Sequence, residues 1–585
     1  MNKRLMLGNE AVARGLYEAG CRFISSYPGT PSTEITEEAA KYPEIYAEWA
    51  PNEKVAVEAA YGAAVYGARS FAAMKHVGLN VAADLVFSAS YAGVNAGFVM
   101  AVADDPGMHS SQNEQDSRNY ARASKIPMLE PSDSQECADY MAAAFELSEK
   151  FDTPVFVRTS TRIAHSQSVV VCKERRELPL KPYEKNPQKY VMAPANARAR
   201  HPYVEDRSKR LAEFADTSEL NQIIPAAPEH EGKIGVVCAG IAYQYAREAL
   251  GESASYCKLG IVWPMPEHLL REFAASVKTL YVVEELDAFL ETGLRAMGIP
   301  CIGKDVFPRV GEYTPAMIAE KILGTSAPET IEVPAVPARP PVLCPGCPHR
   351  GLFYVLHKMN LTVSGDIGCY TLGSAAPLNA MDTTLDMGAS ISMLHGRNVV
   401  RPDETDHAVA VIGDSTFMHS GMTGLVNAVY NHSASTIIIA DNSITGMTGH
   451  QDNPTTGKTL KGDVTAAVNL EALCHAVGVT RVRVCDPYDV EELEQILREE
   501  LAAKEVSVVI ARRPCALLKT VKHGKPYTID ASKCKRCRMC MKIGCPAIRF
   551  SMGTGASIDE SLCVGCDLCA RMCKFGAIEG GASKC

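Results

Sequence analysis

Residues 409–414 read Val-Ala-Val-Ile-Gly-Asp, and residues 436–442 read Thr-Ile-Ile-Ile-Ala-Asp-Asn. Each is a short apolar run, too short for a helix and rich in β-branched residues, so each predicts a buried strand. Between them, Gly421 to Tyr430 predicts a helix. Strand, helix and strand in that order make a crossover that lays two parallel strands together with their carboxyl ends on one side. Such a unit brings Asp414 and Asn442, which have 27 residues between them, to one sheet edge. A carboxylate, an amide and a backbone carbonyl at that edge leave Mg²⁺ room for two phosphate oxygens and a water in octahedral geometry. Gly413 and Gly421 would let the chain approach phosphate closely, and helix N-terminal amides supply donors for it. A structural aspartate at a strand end fits the spacing equally well.

Outward from this unit the α/β pattern recurs. Residues 21–27 predict a strand that ends in the turn Pro28–Ser32, with Thr30 or Ser32 capping a helix entered at Glu34. Glu53 to Arg69 is alanine-rich and helical, with small residues at Gly62, Ala63, Gly67 and Ala68. Asn80 to Ala103 predicts a buried strand, loop and helix, and residues 172–232 a polar connection. A second unit begins at Lys233, with strands at 234–237 and 280–285 and a helix at 240–250. Seven prolines in the 21 residues from Pro328 to Pro348 mark a semi-rigid linker and a boundary near 335. The expected divisions are 1–190, a connection 191–232, 233–327, a linker 328–343, 344–526, and a small terminal unit 527–585. The class is multidomain α/β with parallel sheets.

A chain of 585 residues suits about four units at ~150 residues each. Its 59 Lys and Arg against 68 Asp and Glu give a net charge of −9, which argues against nucleic acid as the main partner. The first residues lack the pattern of a signal peptide. Leu85 to Ala103 carries no formal charge, but its Ser, Gly, Asn and Ala content fits a buried helix and loop better than a membrane span. A soluble, cytoplasmic protein with no membrane partner is expected.

Eight of the 21 cysteines lie between Cys534 and Cys573. They run Cys534-x2-Cys537-x2-Cys540-x4-Cys545-Pro546, then Cys563-x2-Cys566-x2-Cys569-x3-Cys573. Three thiolates at a spacing of three wrap one iron–sulfur cube, and the remote fourth ligates the other, as in two-cluster ferredoxins. One [4Fe–4S] cluster would take Cys534, Cys537, Cys540 and Cys573, and the other Cys563, Cys566, Cys569 and Cys545. The first motif has one residue more than usual before its last cysteine, and Lys574 stands where the second would have proline. Structural zinc uses different four-cysteine spacings, and disulfides do not suit a cytosolic chain. From Ala531 onward nine basic residues face four acidic ones. That excess either compensates anionic clusters or forms a docking face for an acidic electron carrier.

The Gly-Asp to Asn spacing resembles the diphosphate motif of thiamine-diphosphate enzymes. Five longer segments narrow this: Gly413–Gly421 with Asp441–Gln451, Tyr27–Glu34, Met74–Asn80, His109–Asp116 and Cys344–Arg350. Together they resemble the alpha subunits of the indolepyruvate:ferredoxin oxidoreductase family over nearly the whole chain.

That resemblance implies a pyrimidine-binding domain at 1–190, a transketolase C-terminal-like domain at 233–327, a diphosphate-binding domain at 344–526 and a ferredoxin-like domain after it. It places Asp414, Asn442 and the carbonyl of Ile444 on Mg²⁺, with Gly413 and Ser415 beside the diphosphate. Thiamine chemistry requires a carboxylate on the ring nitrogen remote from the thiazolium, to favour the imino tautomer. Glu58 is the candidate and Glu53 the runner-up, and a helix-surface glutamate is the plain alternative. Thr30, Lys75, His76 and His109 are candidate catalytic or wall residues, although His76 reads equally as a satisfied core histidine. Arg118 would hold a carboxylate or make an interdomain ion pair. Cys344, Cys347, Cys369 and Cys515 resemble the ligands of a third [4Fe–4S] cluster in pyruvate:ferredoxin oxidoreductases, against the alternative of free buried thiols.

The implied reaction is oxidative decarboxylation of indole-3-pyruvate and other arylpyruvates, with coenzyme A and ferredoxin. A smaller beta subunit, gamma-domain-like, completes a dimer of alpha–beta heterodimers, and the enzyme suits an anaerobic cell. Rival readings are the same chemistry on pyruvate, 2-oxoglutarate or branched oxo acids, and a non-catalytic electron-transfer subunit.

Overall fold

A computed structural model describes residues 2–325, 334–337 and 339–580, so the expected linker 328–343 lies partly outside the described residues. The chain forms two compact units, Met1–Pro334 and Ala335–Cys585.

In the first unit, strands Ser70–Lys75, Phe98–Asp104 and Val155–Ser160 are buried along their whole length. They occupy the middle of a seven-stranded sheet. Such unbroken burial is what a parallel sheet covered on both faces demands. The order is Ile261–Trp263, Met128–Leu129, Val155–Ser160, Phe98–Asp104, Ser70–Lys75, Phe23–Ser26 and Tyr46–Trp49. All neighbours are parallel except the edge strand Ile261–Trp263. That strand comes from the 233–327 segment, which therefore lends an edge to the first domain's sheet. The segment's own four-stranded sheet runs Thr279–Val283, Ile234–Ala239, Ser255–Leu259 and Gln222–Ile224.

Three sequence expectations need correction here. After Lys75 the chain enters a helix, His76–Ala92, and only then the strand Phe98–Asp104, so strand and helix come in the reverse order. Leu79, Ala82, Val86 and Ala89 are its buried stripe, at helical spacing. The polar connection holds a 24-residue helix, Pro194–Thr217, whose buried Val204, Arg207, Leu211 and Ala215 also recur every three or four residues. Ser32 occupies the N-cap of the helix Thr33–Ala39 without capping it through its side chain. Its hydroxyl donates instead to the Gly29 carbonyl at 2.9 Å.

Arg118 is an interdomain ion pair. Its guanidinium donates to Asp116 at 2.6 Å and to Glu284 at 2.7 Å, and lies 5.2 Å from the Phe289 ring centroid. Fully buried and doubly paired, it is not available to a substrate carboxylate. Nearby, Glu285 accepts a hydrogen bond from the Tyr313 amide at 2.8 Å, and burial pushes its pKa up to about 7. The folded chain thus binds a proton that the unfolded chain releases near the ordinary value of 4.5. The associated stability is full below that value and is lost as pH rises through 7. Glu285→Gln keeps the acceptor without the charge. Urea denaturation is expected to show it about 3–4 kcal/mol more stable than wild type at pH 8, at ~1.4 kcal/mol per unit, with no gain at pH 4.

In the second unit, five parallel strands run in the order Thr362–Ser364, Ala408–Gly413, Thr436–Asp441, Ser507–Arg512 and Arg481–Cys485. Register pairs Gly413 with Ala440, which sets Asp414 beside the end of the neighbouring strand. The terminal module has two small antiparallel ladders, Tyr527–Ile529 with Ile578–Gly580 and Ile548–Ser551 with Gly555–Ile558. Its Ile543, Ile548, Leu568 and Ile578 join Leu352, Phe353 and Val409 in one core, so the module packs onto the sheet domain as part of the same unit. Among the described residues no helix is long and apolar enough to cross a membrane.

Candidate functional site

Asp414, Asn442 and Ile444 converge at the carboxyl edge of the five-stranded sheet, and all three are buried. The Asn442 side-chain oxygen faces the Ile444 carbonyl oxygen at 2.7 Å and Asp414 Oδ1 at 3.3 Å. Turned over, the amide donates to both oxygens and satisfies them without an ion; with a cation present its oxygen can face the metal instead. The amide nitrogen lies 3.5 Å from His349 Nε2, and burial lowers the His349 pKa to about 4, so the ring is neutral and able to accept. Burial, with the Asp441 charge added, pushes Asp414 up to about 7. Full ionisation of that carboxylate therefore calls for a positive partner. The donor set of carboxylate, amide and carbonyl oxygens fits Mg²⁺.

Ser415 meets the Thr445 hydroxyl at 2.9 Å beside this edge. The glycines are also required by packing. A Cβ on Gly413 would sit 2.6 Å from the Tyr370 ring, and one on Gly421 2.6 Å from Ile412 Cδ1.

In the other unit, Thr30, Lys75, His76 and His109 gather where the parallel strands end. The turn carrying half-buried Thr30 packs on Lys75, with the Cβ position of Gly29 3.3 Å from Lys75 Cβ. Lys75 donates to the Ser110 carbonyl, and His76 Nε2 lies 3.2 Å from the Asn113 carbonyl, which ties both to the loop bearing His109. Burial depresses the pKa of Lys75 and of His76, and His76 Nδ1 has no hydrogen-bond partner among the described residues. His109 is half exposed and pairs with Glu312 at 2.9 Å. The two glutamates separate clearly. Glu53 is buried, and its Oε1 lies 2.5 Å from the Cβ position of Gly78, so protein encloses it. Glu58 lies on the exposed face of the same helix, Glu53–Val65, paired with Lys54. Gly67 and Ala68 lie beyond the end of this helix.

The cysteines fall into three neighbourhoods. The Cys540 thiol is raised first by burial, then by Cys537, Cys534 and Cys573. Cys569 is raised by burial, then chiefly by Cys566, Cys545 and Cys563. These neighbours follow the crossed pattern. Backbone amides point at the sulfurs: Tyr527 to Cys563 at 3.4 Å and Ala577 to Cys573 at 3.3 Å. A cavity is walled by Cys545, Cys563, Cys566 and Cys569 together with Arg350. The third set lies against the Asp414 edge. The Cys515 amide donates to the Asn442 carbonyl at 2.9 Å, and Cys369 Sγ lies 3.3 Å from the Cβ position of Gly446. Cys347 feels Cys369 and Cys344, and Cys515 feels Cys344. Among the described residues no group of three or more His, Cys, Asp and Glu side chains is already closed into a metal-holding arrangement.

Family models match three stretches. Residues 14–225 match "Pyruvate flavodoxin/ferredoxin oxidoreductase, thiamine diP-bdg" and 366–511 match "Thiamine pyrophosphate enzyme, C-terminal TPP binding domain". Residues 556–579 match "4Fe-4S binding domain". The chain is 41% identical to the indolepyruvate oxidoreductase subunit IorA of Archaeoglobus fulgidus, over 99% of this chain and 98% of that one. It is 40% identical to the IorA subunits of Methanothermobacter marburgensis and Pyrococcus horikoshii, each over 99% of this chain and 97% of theirs. The chain belongs to the indolepyruvate oxidoreductase IorA family.

As an IorA-family chain it is a multidomain thiamine-diphosphate oxidoreductase with a ferredoxin-like iron–sulfur module. Several residues of this IorA-type site escaped the sequence reading. Thr455 donates to Asp414 Oδ2 at 3.3 Å, and Asn453 fixes Thr455 at 2.7 Å. Both come from a loop with no periodic signal. Tyr370 and His349 were legible only as neighbours of Cys369 and Cys347.

Proposed function

We propose that this chain is the catalytic alpha subunit of an enzyme that oxidatively decarboxylates indole-3-pyruvate and other arylpyruvates, forming the aryl-acetyl-CoA, carbon dioxide and reduced ferredoxin. The observation that carries the reading is the convergence of the Asp414 carboxylate, the Asn442 amide and the Ile444 carbonyl at one sheet edge, beside one thiol set and in the same unit as two more. Near-full-length likeness to indolepyruvate oxidoreductase subunits supports the substrate class.

Asp414, Asn442 and the Ile444 carbonyl hold Mg²⁺, and through it the diphosphate. Bound thiamine diphosphate supplies the electron sink that decarboxylation of a 2-oxo acid needs. His349, neutral, accepts from the Asn442 amide and keeps its oxygen toward the metal. Glu58 meets the aminopyrimidine ring and fixes its tautomer. Thr30, Lys75, His76 and His109 form the polar wall around the oxo acid. Cys344, Cys347, Cys369 and Cys515 hold a cluster next to the cofactor, and the crossed sets Cys534, Cys537, Cys540, Cys573 and Cys545, Cys563, Cys566, Cys569 hold two more. A smaller gamma-domain-like beta subunit completes a dimer of alpha–beta heterodimers.

The test uses the anaerobic complex with its partner subunit and coenzyme A, with ferredoxin reduction as the readout. Indole-3-pyruvate is expected to turn over faster than pyruvate, 2-oxoglutarate or a branched oxo acid. A preference for any of these moves the substrate assignment to it, and no turnover of any oxo acid leaves an electron-transfer subunit. Glu58→Gln is expected to keep bound thiamine diphosphate while slowing exchange of its C2 proton by ~10²–10⁴-fold, the range of a positioned acid–base group. Exchange at the wild-type rate contradicts the role of Glu58.

A further inference from the structure

Between Cys540 and Cys545 the chain has four residues, whereas Cys569 and Cys573 enclose three. The structure gives the additional residue a purpose. Gly544 ends the short helix Met539–Ile543 with φ +64, and a Cβ there would come within 2.8 Å of Pro377 Cδ and 3.3 Å of Arg350 Nη1. That bend presents two carbonyls to Arg350. Its Nη1 donates to the Ile543 oxygen at 2.9 Å and to the Gly544 oxygen at 2.5 Å. From the sheet domain the Cys344 carbonyl accepts from Nε at 3.0 Å, and the Leu343 carbonyl accepts from Nη2. Arg350 is 2% exposed, and among the described residues no carboxylate pairs with it. A buried cation surrounded only by neutral carbonyls is costly unless an anion stands nearby. The ionisable groups that act on it are the sulfurs of Cys545, Cys347 and Cys344 and the Tyr488 phenol, with no carboxylate among them. The guanidinium also stands in the wall of the cavity formed with Cys545, Cys563, Cys566 and Cys569.

We propose that Arg350 is the built-in counter-charge of the cluster held by Cys545, Cys563, Cys566 and Cys569, and that it raises that cluster's reduction potential. The proposal rests on the two-cluster reading of the terminal module. One-electron reduction, with the electron supplied by the oxidised oxo acid, adds a negative charge to the cluster. A fixed guanidinium in a low-dielectric wall favours the reduced form over the oxidised one. Because Arg350 is gripped by both the sheet domain and the module, the same contacts that dock the module place the charge between the Cys344–Cys347 pair and the cavity. Lysine would keep the charge but not the four-carbonyl grip.

The experiment is an EPR-monitored redox titration of the anaerobic holoenzyme, with iron and thiamine diphosphate counted per chain. Cys573→Ala serves to assign the signal of the other cluster. In Arg350→Gln the reduced-to-oxidised ratio of the Cys545 cluster, at the wild-type midpoint, is expected to fall at least tenfold, which is about 59 mV for a one-electron couple. The cluster of Cys534, Cys537, Cys540 and Cys573 should keep its midpoint, and Arg350→Lys should stay nearer to wild type than Arg350→Gln. Full iron content with an unmoved midpoint in Arg350→Gln overturns the proposal. If Arg350→Gln loses this cluster, Arg350→Lys decides. Retention of iron and midpoint supports a counter-charge, and loss in both variants overturns it in favour of docking alone. Wild-type protein lacking two clusters in the module would instead refute the underlying reading.

Discussion

Asp414→Ala is expected to strip thiamine diphosphate and Mg²⁺ from the anaerobically purified protein and to cut oxo-acid oxidation by about two to four orders of magnitude. The reason lies in the surroundings of the carboxylate. Asp414 is buried, lies 3.3 Å from the Asn442 amide, and is raised to about 7 by burial and Asp441. A cation against it favours the ionised form. Removing one member of a buried charge pair costs ~3–5 kcal/mol, which is about two to four powers of ten in affinity or rate. Iron in the terminal module should be unaffected, because its eight cysteines belong to separate neighbourhoods. Measuring thiamine diphosphate, magnesium and iron on the same sample checks this. Loss of iron with the organic cofactor retained would reverse the assignment of the two regions.

The second large effect concerns the crossed cysteines. Cys573→Ala is expected to remove about four irons per chain, those of one cubane cluster, and with them the EPR signal of the cluster on Cys534, Cys537 and Cys540. Cys573 lies close in sequence to Cys569 but appears among the neighbours of Cys540. Cys545 conversely feels Cys566 and Cys563. Cys545→Ala should therefore spare the Cys534 cluster and abolish the other. Each substitution should nearly abolish electron delivery to ferredoxin. A sequential arrangement would exchange the two EPR outcomes.

The crossover carrying Asp414 and Asn442 was readable because buried strands leave β-branched runs and the partners of a parallel pair must end together. The ferredoxin-like module was readable because cluster geometry fixes cysteine spacing. Other features left no such mark. The Pro194–Thr217 helix is polar over most of its surface and contains Pro202, so its stripe from Val204 to Ala215 was masked by charge. The inverted order at 76–104 followed from composition shared by buried strands and buried helices, which periodicity alone does not separate. Gly413 also leaves space for the Tyr370 ring, a need that the sequence did not show. Arg350 stood inside the quoted Cys344–Arg350 segment, but its task depends on Gly544, nearly two hundred residues away.

The most direct measurement is a single turnover. Anaerobic holoenzyme with oxidised clusters is mixed with indole-3-pyruvate in the absence of ferredoxin, and reduced iron is counted by freeze-quench EPR as carbon dioxide is released. If a magnesium-held cofactor feeds thiolate-held iron in this chain, clusters become reduced as carbon dioxide appears, and Asp414→Ala shows neither event. Release of carbon dioxide from wild-type protein while its clusters stay oxidised would contradict that coupling.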